Sequence, residues 1–147
     1  MPQTINVSLP VTDLSRARAF YAALGLAFDD RFSDATTARV VVSDAISLML
    51  MTRDRFADFA PHPVGDPWAE SLILVSLSRE SREDVIACMA AGVAAGGTDT
   101  GQVDEVEGAF YGASISDPDG NALGLMWMDL AKMAPTLPAE MDAAVDA

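Results

Sequence analysis

Asp117-Pro118-Asp119-Gly120-Asn121, followed by the alternating stretch Ala122-Leu123-Gly124-Leu125-Met126-Trp127-Met128, is the part of the chain that decides its fold. Proline presets φ, aspartate bonds its own backbone and glycine accepts φ > 0, so Pro-Asp-Gly encodes a turn. The alternation beyond it encodes a strand with two different faces. The same signals stand near the start of the chain. Residues Ile5 to Val11 alternate, Asp13 occupies an N-cap position, and Leu14, Ala17, Phe20, Tyr21 and Leu24 recur on one helical face before Gly25 supplies a stop.

Extended along the chain, the pattern predicts a strand over 5–11, a helix over 14–24, and strands over 26–32, 36–42 and 45–52. The order βαβββ then starts again. After a connection over 53–69 holding Pro61, Pro63, Gly65 and Pro67, residues 71–77 are strand-like, and Ser81 with Asp84 three positions on makes a capping-box signature. Val85, Cys88, Met89, Gly92 and Val93 share one face of the helix that follows, and Gly96-Gly97 ends it. Further strands are expected over 98–103, 109–116 and 121–128. Val11 and Ser15 match Leu77 and Ser81 at an offset of 66 residues, so the chain reads as an internal duplication. Each half has one apolar face to bury, and neither is expected to fold alone. The organisation is a first module over 4–52, the connection, a second module over 70–129 and a tail over 130–147 that reads as a docking segment or disorder.

A chain of 147 residues, half of them hydrophobic, has enough apolar material for one compact domain or two small modules sharing a core. It lacks both an apolar run long enough to span a bilayer and the basic and apolar regions of a signal peptide, so the expected address is the cytoplasm. The net charge of −13 repels nucleic acid and anionic lipid. Cys88 excludes an internal disulfide and reads as a buried structural thiol on its helix. His62, the single histidine, lies between Pro61 and Pro63 and reads as an exposed loop side chain rather than a ligand.

Three groups of residues, Leu9-Pro10-Val11-Thr12-Asp13-Leu14, Ala19-Phe20-Tyr21 through Leu24-Gly25-Leu26, and Asp117 to Asn121, give the chain a family likeness. In this order, around an internal repeat, it resembles the vicinal oxygen chelate superfamily of glyoxalase I, extradiol dioxygenases, and bleomycin- and fosfomycin-resistance proteins. The resemblance implies an α+β fold of two tandem βαβββ modules forming a paired, cup-shaped mixed β-sheet, and it also implies a homodimer. In metal-dependent relatives the first and last strands of each module supply the ligands, and the matching positions here are Asn6, Met49, Leu72 and Gly124. None is an imidazole or a carboxylate, so no metal and no cofactor is expected.

Strand parity puts Asn6, Ser8, Ser47, Met49 and Met51 of the first module, and Leu72, Leu74, Ala122, Gly124 and Met126 of the second, on the face where the cup would lie. They read either as an apolar, methionine-lined groove for a small molecule or as side chains that fill the space as core. Tyr111 joins them as a candidate hydrogen-bond donor or acid, with a structural tyrosine as the plainer reading. Trp127 shares parity with Leu123 and Leu125 and belongs with the helices. Arg39 could meet an anionic ligand or an edge carboxylate. The function expected is metal-independent binding of a small, largely apolar molecule. The alternatives are a glyoxalase-like lyase or isomerase, a dioxygenase with an atypical site, or a protein-interaction module. Metal-dependent lyase or dioxygenase chemistry is disfavoured because its Lewis acid would have no ligands.

Overall fold

The computed structural model describes residues 2–134. Strand β1 (Ile5–Val11) leads into helix α1 (Leu14–Ala23), whose first turn is capped where the Asp13 carboxylate accepts the Arg16 N–H at 3.0 Å. Strands β2 (Ala27–Phe28), β3 (Thr37–Val41) and β4 (Ile46–Thr52) complete a sheet in the order β1-β4-β3-β2, with β1 parallel to β4 and the other pairs antiparallel. Helix α2 (Arg53–Phe59) follows. The second half repeats the order with β5 (Val75–Ser78), α3 (Arg82–Ala94), β6 (Thr98–Val106), β7 (Phe110–Ser116) and β8 (Ala122–Met128), paired as β5-β8-β7-β6. A short helix α4 (Leu130–Met133) comes last, and the rest of the expected tail, 135–147, lies outside the described residues.

The α+β architecture of two four-stranded mixed sheets is the one the sequence implies, and the departures from it are local. The strand expected over 26–32 shrinks to two residues. There the Asp29 carboxylate accepts the backbone and side-chain N–H groups of Arg31 and turns residues 30–32 into one tight 3-10 turn. The connection over 53–69 contains α2, started by Thr52, whose hydroxyl accepts the Arg55 N–H. Strand β5 begins at Val75, four residues later than expected. Extending its register with β8 would place Asp119, Gly120 and Asn121 opposite residues 71–73, and those three are already folded into the turn.

The caps also correct the repeat. Asp13 caps α1 and Ser81 caps α3, so the strand–helix units correspond at a spacing of 68 residues rather than 66. The counterpart of Asn6 is therefore Leu74, and Leu72 stands outside the strand, fully exposed.

One core serves both halves. Val11, Phe20, Tyr21, Leu24, Val40, Leu48 and Leu50 meet Val85, Cys88, Met89, Ile115, Leu123 and Leu125 in a single buried cluster. Helices α1 and α3 pack against each other at its centre. Gly92 makes this possible, since a Cβ there would lie 2.7 Å from Ile115 Cδ1 and 3.0 Å from Leu24 Cδ2. The sheets are joined through these helices and not through a shared strand ladder.

A buried carboxylate ties the halves together at one end of this core. Asp117 is 0% exposed; its Oδ1 accepts the N–H groups of Asp119 and Asn121, while its Oδ2 accepts the Tyr21 hydroxyl at 2.8 Å and the Asn121 amide at 2.9 Å. The Asn121 amide also donates to the Pro10 carbonyl. Asp119 Oδ1 takes the N–H and hydroxyl of Thr12 and the Arg16 guanidinium. Exposed ion pairs such as Arg18–Asp30 are each worth under about 1 kcal/mol and join no module to the other. Tyr21→Phe keeps the packing but removes one donor from a buried carboxylate, and is expected to cost about 1.5–3 kcal/mol in urea unfolding. A change below about 0.5 kcal/mol would show that the Tyr21–Asp117 bond contributes little.

Candidate functional site

The nine sequence candidates fall into three places. Strand alternation holds as expected: Ser47, Met49 and Met51 alternate with the buried Leu48 and Leu50, so they share the outer face of the first sheet with Asn6 and Ser8. Gly124 and Met126 occupy the corresponding face of the second sheet, opposite to Leu123 and Leu125. Tyr111 departs from this set. It sits in phase with Ala113 and Ile115 on the helix-facing side of β7, packed against the core, with the Arg82 guanidinium 4.6 Å above its ring. Tyr111 is thus a structural side chain, half-buried under a cation. Trp127 packs against the same core, as its parity implied.

Gly124 does not open space opposite Met49. Its neighbour across the parallel ladder is Ser76, and a Cβ on Gly124 would lie 2.7 Å from Ser76 Oγ. Arg39 donates to Ser47 Oγ and stands 3.7 Å from the Asp29 carboxylate, with its guanidinium over Phe32; the edge ion pair is the reading that holds.

A cavity of about 450 Å³ lies instead at the seam between the halves, where the last residues of β1 approach the first residues of β8. Ser8 and Leu72 line it, and the other seven candidates do not. Its apolar walls come from Phe56 and Phe59 of α2 and Val64, in the segment read from sequence as mere connection, and from Ile73, in residues expected to form a strand. The wall is held by specific bonds. Arg53 donates from Nη2 to the carbonyls of Val64 (3.1 Å) and Gly65 (3.0 Å), which folds the proline-rich segment back over β1. Trp68 lies on Gly120, whose φ of +92° and absent Cβ are both required, because a Cβ would meet the indole at 2.6 Å. The sequence did carry a signal for this wall: Phe56 and Phe59 are large apolar residues in the connection with no place in either helix face of the repeat. His62 is exposed, as expected, at the cavity rim.

The chemistry on offer is sparse. Asn6, Met49 and Leu74 supply an amide, a thioether and a hydrocarbon, and Gly124 has no side chain, which does not fit a divalent transition metal. No group of three His, Cys, Asp or Glu side chains that could hold a metal occurs among the described residues. The two buried acids with raised pKa values, Asp117 and Tyr21, are bonded to each other within the joint between the modules. Burial pushes the Asp117 carboxyl above its ordinary value, with the bonds from Asn121 and Tyr21 pulling it back. The Tyr21 phenol is raised well above its ordinary value by burial and then by Asp117, so it stays protonated and donating.

This fold has known company. A family model for the glyoxalase/bleomycin resistance protein/dioxygenase superfamily matches residues 4–125. The chain belongs to that superfamily. Among solved structures, a hypothetical protein from S. aureus matches with a TM-score of 0.72 at 23% identity, covering 86% of this chain and 95% of the other. A glyoxalase-related enzyme from Fulvimarina pelagi matches with a TM-score of 0.72 at 18% identity, covering 86% and 88%. A lactoylglutathione lyase from Agrobacterium tumefaciens matches with a TM-score of 0.61 at 19% identity, covering 86% and 95%. At these identities the likeness is one of fold. No curated protein matches the chain. No helix among the described residues is long and apolar enough to cross a membrane.

The Gly124–Ser76 approach gives a direct test of the sheet's outer face. Gly124→Leu is expected to lose about 1–3 kcal/mol of stability through overpacking against Ser76. Adding Ser76→Gly should restore most of it. Equal losses in the single and double variants, read from urea midpoints, would place the strain elsewhere.

Proposed function

We propose that this protein binds a small, largely apolar molecule in the cavity at the seam of its two modules, and that it does so without a metal. The observation that carries this reading is the cavity itself: about 450 Å³, walled by Phe56, Phe59, Val64, Leu72 and Ile73, with Ser8, His62, Asp66, Glu70, Ser71 and Asn121 as the polar residues of its lining. A space of that size and lining suits a small ligand that gives up apolar surface to it. The lyase and dioxygenase readings draw on the neighbours' names, yet they require a Lewis acid, and the four matching positions offer no imidazole or carboxylate to hold one. Ser8 in its lining can orient a ligand by hydrogen bonding.

Titration with N-phenyl-naphthylamine, an uncharged apolar dye, tests the proposal. The wild-type protein should bind it at one saturable site, with the same affinity and the same thermal midpoint in excess chelator. Phe59 is 64% exposed, so Phe59→Ala should leave the fold intact while weakening dye binding about tenfold through lost aromatic burial. Absence of a saturable site, or a midpoint that falls on chelation, would overturn the reading.

A second copy of the chain is the partner this surface favours. The outer edges of β1 and β5 are unpaired, and beside the latter Leu72, Ile73 and Leu74 stand 101%, 57% and 74% exposed in succession. Open edges flanked by consecutive exposed aliphatic residues favour association. Light scattering should give a dimer at micromolar concentration, and a concentration-independent monomer would refute it.

A further inference from the structure

We infer that the ligand of the seam cavity carries an anionic head group, a carboxylate or a similar oxyanion, which Arg53 receives in a second, adjoining cleft. This inference rests on the proposed apolar binding at the seam and names the chemical class of what binds there. The adjoining cleft, of about 490 Å³, is lined by Thr12, Arg16, Arg53, Trp68 and Asp119, and it shares Asp66 and Pro67 with the apolar cavity as a common wall. A molecule with an apolar body in the first space therefore has its polar end beside the second.

The charges in that cleft are unevenly spoken for. Arg16 is matched by Asp119, whose Oδ1 also takes the N–H and hydroxyl of Thr12. Asp66 Oδ1 accepts the Trp68 N–H. Arg53 has no carboxylate partner. Among the arginines and lysine of the described residues, Arg53 and Arg79 alone form no ion pair, and Arg79 is turned inward onto the Leu24 carbonyl and the Cys88 thiol. In a chain with 22 acidic and nine basic residues, an arginine that lines a cleft beside Asp66 and Asp119 and pairs with neither is conspicuous. Arg53 donates from Nη2 to both Val64 O and Gly65 O, which fixes the guanidinium in place. The remaining N–H groups of the planar fork are the ones an oxyanion would accept from. The carbonyl bonds pre-orient the cation, so little side-chain freedom is lost when the anion arrives. The acidic remainder of the surface repels anions in general, and selectivity for an apolar anion then comes from pairing this one cation with the neighbouring apolar walls.

The experiment compares two dyes with the same aromatic body, N-phenyl-naphthylamine and its sulfonated counterpart anilinonaphthalene sulfonate, on the full chain. Wild type should bind the sulfonated dye at least tenfold more tightly, and the advantage should shrink as salt is raised. Arg53→Gln should remove the advantage while leaving the neutral dye within about twofold, and Arg53→Lys should retain part of it. Arg31→Gln, at an exposed arginine outside both spaces, should change neither. If both dyes bind equally in wild type, or if Arg53→Gln leaves the sulfonate preference intact, the inference fails while apolar binding stands. If Arg53→Gln weakens both dyes alike, Arg53 acts only by holding the Val64–Gly65 wall, and the inference again fails. If neither dye binds wild type, the proposed function itself has failed.

Discussion

Burying the Asp117 carboxylate is the constraint on which the arrangement of the two halves depends. A charge removed from water is tolerated only when its lone pairs are filled, and here four donors fill them: two backbone N–H groups from its own turn, an amide from Asn121 and a phenol from Tyr21 on α1. The last of these donors belongs to the first module. The turn therefore reaches its satisfied state only with α1 docked, and Asn121 then spends its second amide hydrogen on the Pro10 carbonyl at the end of β1. Apolar burial around Phe20, Leu24 and Ile115 supplies most of the driving force for docking, but it is not directional. The hydrogen-bonded carboxylate selects one orientation among those the greasy surfaces would allow.

That orientation brings the last residues of β1 next to the first residues of β8 and leaves a seam between them. The connection after β4 closes over it because Thr52 starts a helix and Arg53 reaches back to the Val64 and Gly65 carbonyls. Trp68 then settles on Gly120, where only a glycine leaves room for the indole and accepts the backbone conformation. The cavity is thus a product of the joint between the modules and its cover. It is distinct from the outer sheet faces where Met49, Met51 and Met126 are displayed.

Electrostatics narrows what such a cavity suits. The surface is strongly acidic, and nearly every cation on it is already paired. Apolar walls of phenylalanine, valine and isoleucine favour hydrocarbon or aromatic matter, while Arg53 beside them, unlike Arg16, has no carboxylate partner and offers a single, pre-oriented anion contact. Tyr111, attractive in the sequence as a proton donor, lies on the helix side beneath Arg82, and Tyr21 is committed to Asp117.

The sequence by itself determined the α+β fold with its duplicated βαβββ order, the parity of β1, β4 and β8, the caps at Asp13 and Ser81, the turn at Pro118 to Gly120 and the residue types at Asn6, Met49 and Gly124, none an imidazole or a carboxylate. All of these follow from local rules: side chains alternate along a strand, aspartate and serine cap helices, glycine accepts positive φ, and a hydrocarbon does not bind a cation. Tertiary structure alone decided the rest. The start of β5 depended on which β8 residues the turn had already consumed, which left Leu72 outside the strand; the 68-residue spacing between the caps at Asp13 and Ser81, which makes Leu74 the counterpart of Asn6, already stood in the sequence beside the 66-residue match of Val11 and Ser15 to Leu77 and Ser81. Tyr111 was placed by the ladder's phase against the core, which a flanking glycine in sequence does not reveal. The cavity was hidden most deeply, because its walls come from four separate segments, 8–10, 56–67, 70–73 and 120–122, and their meeting is fixed by a buried hydrogen-bond network spanning 96 residues of chain between Tyr21 and Asp117.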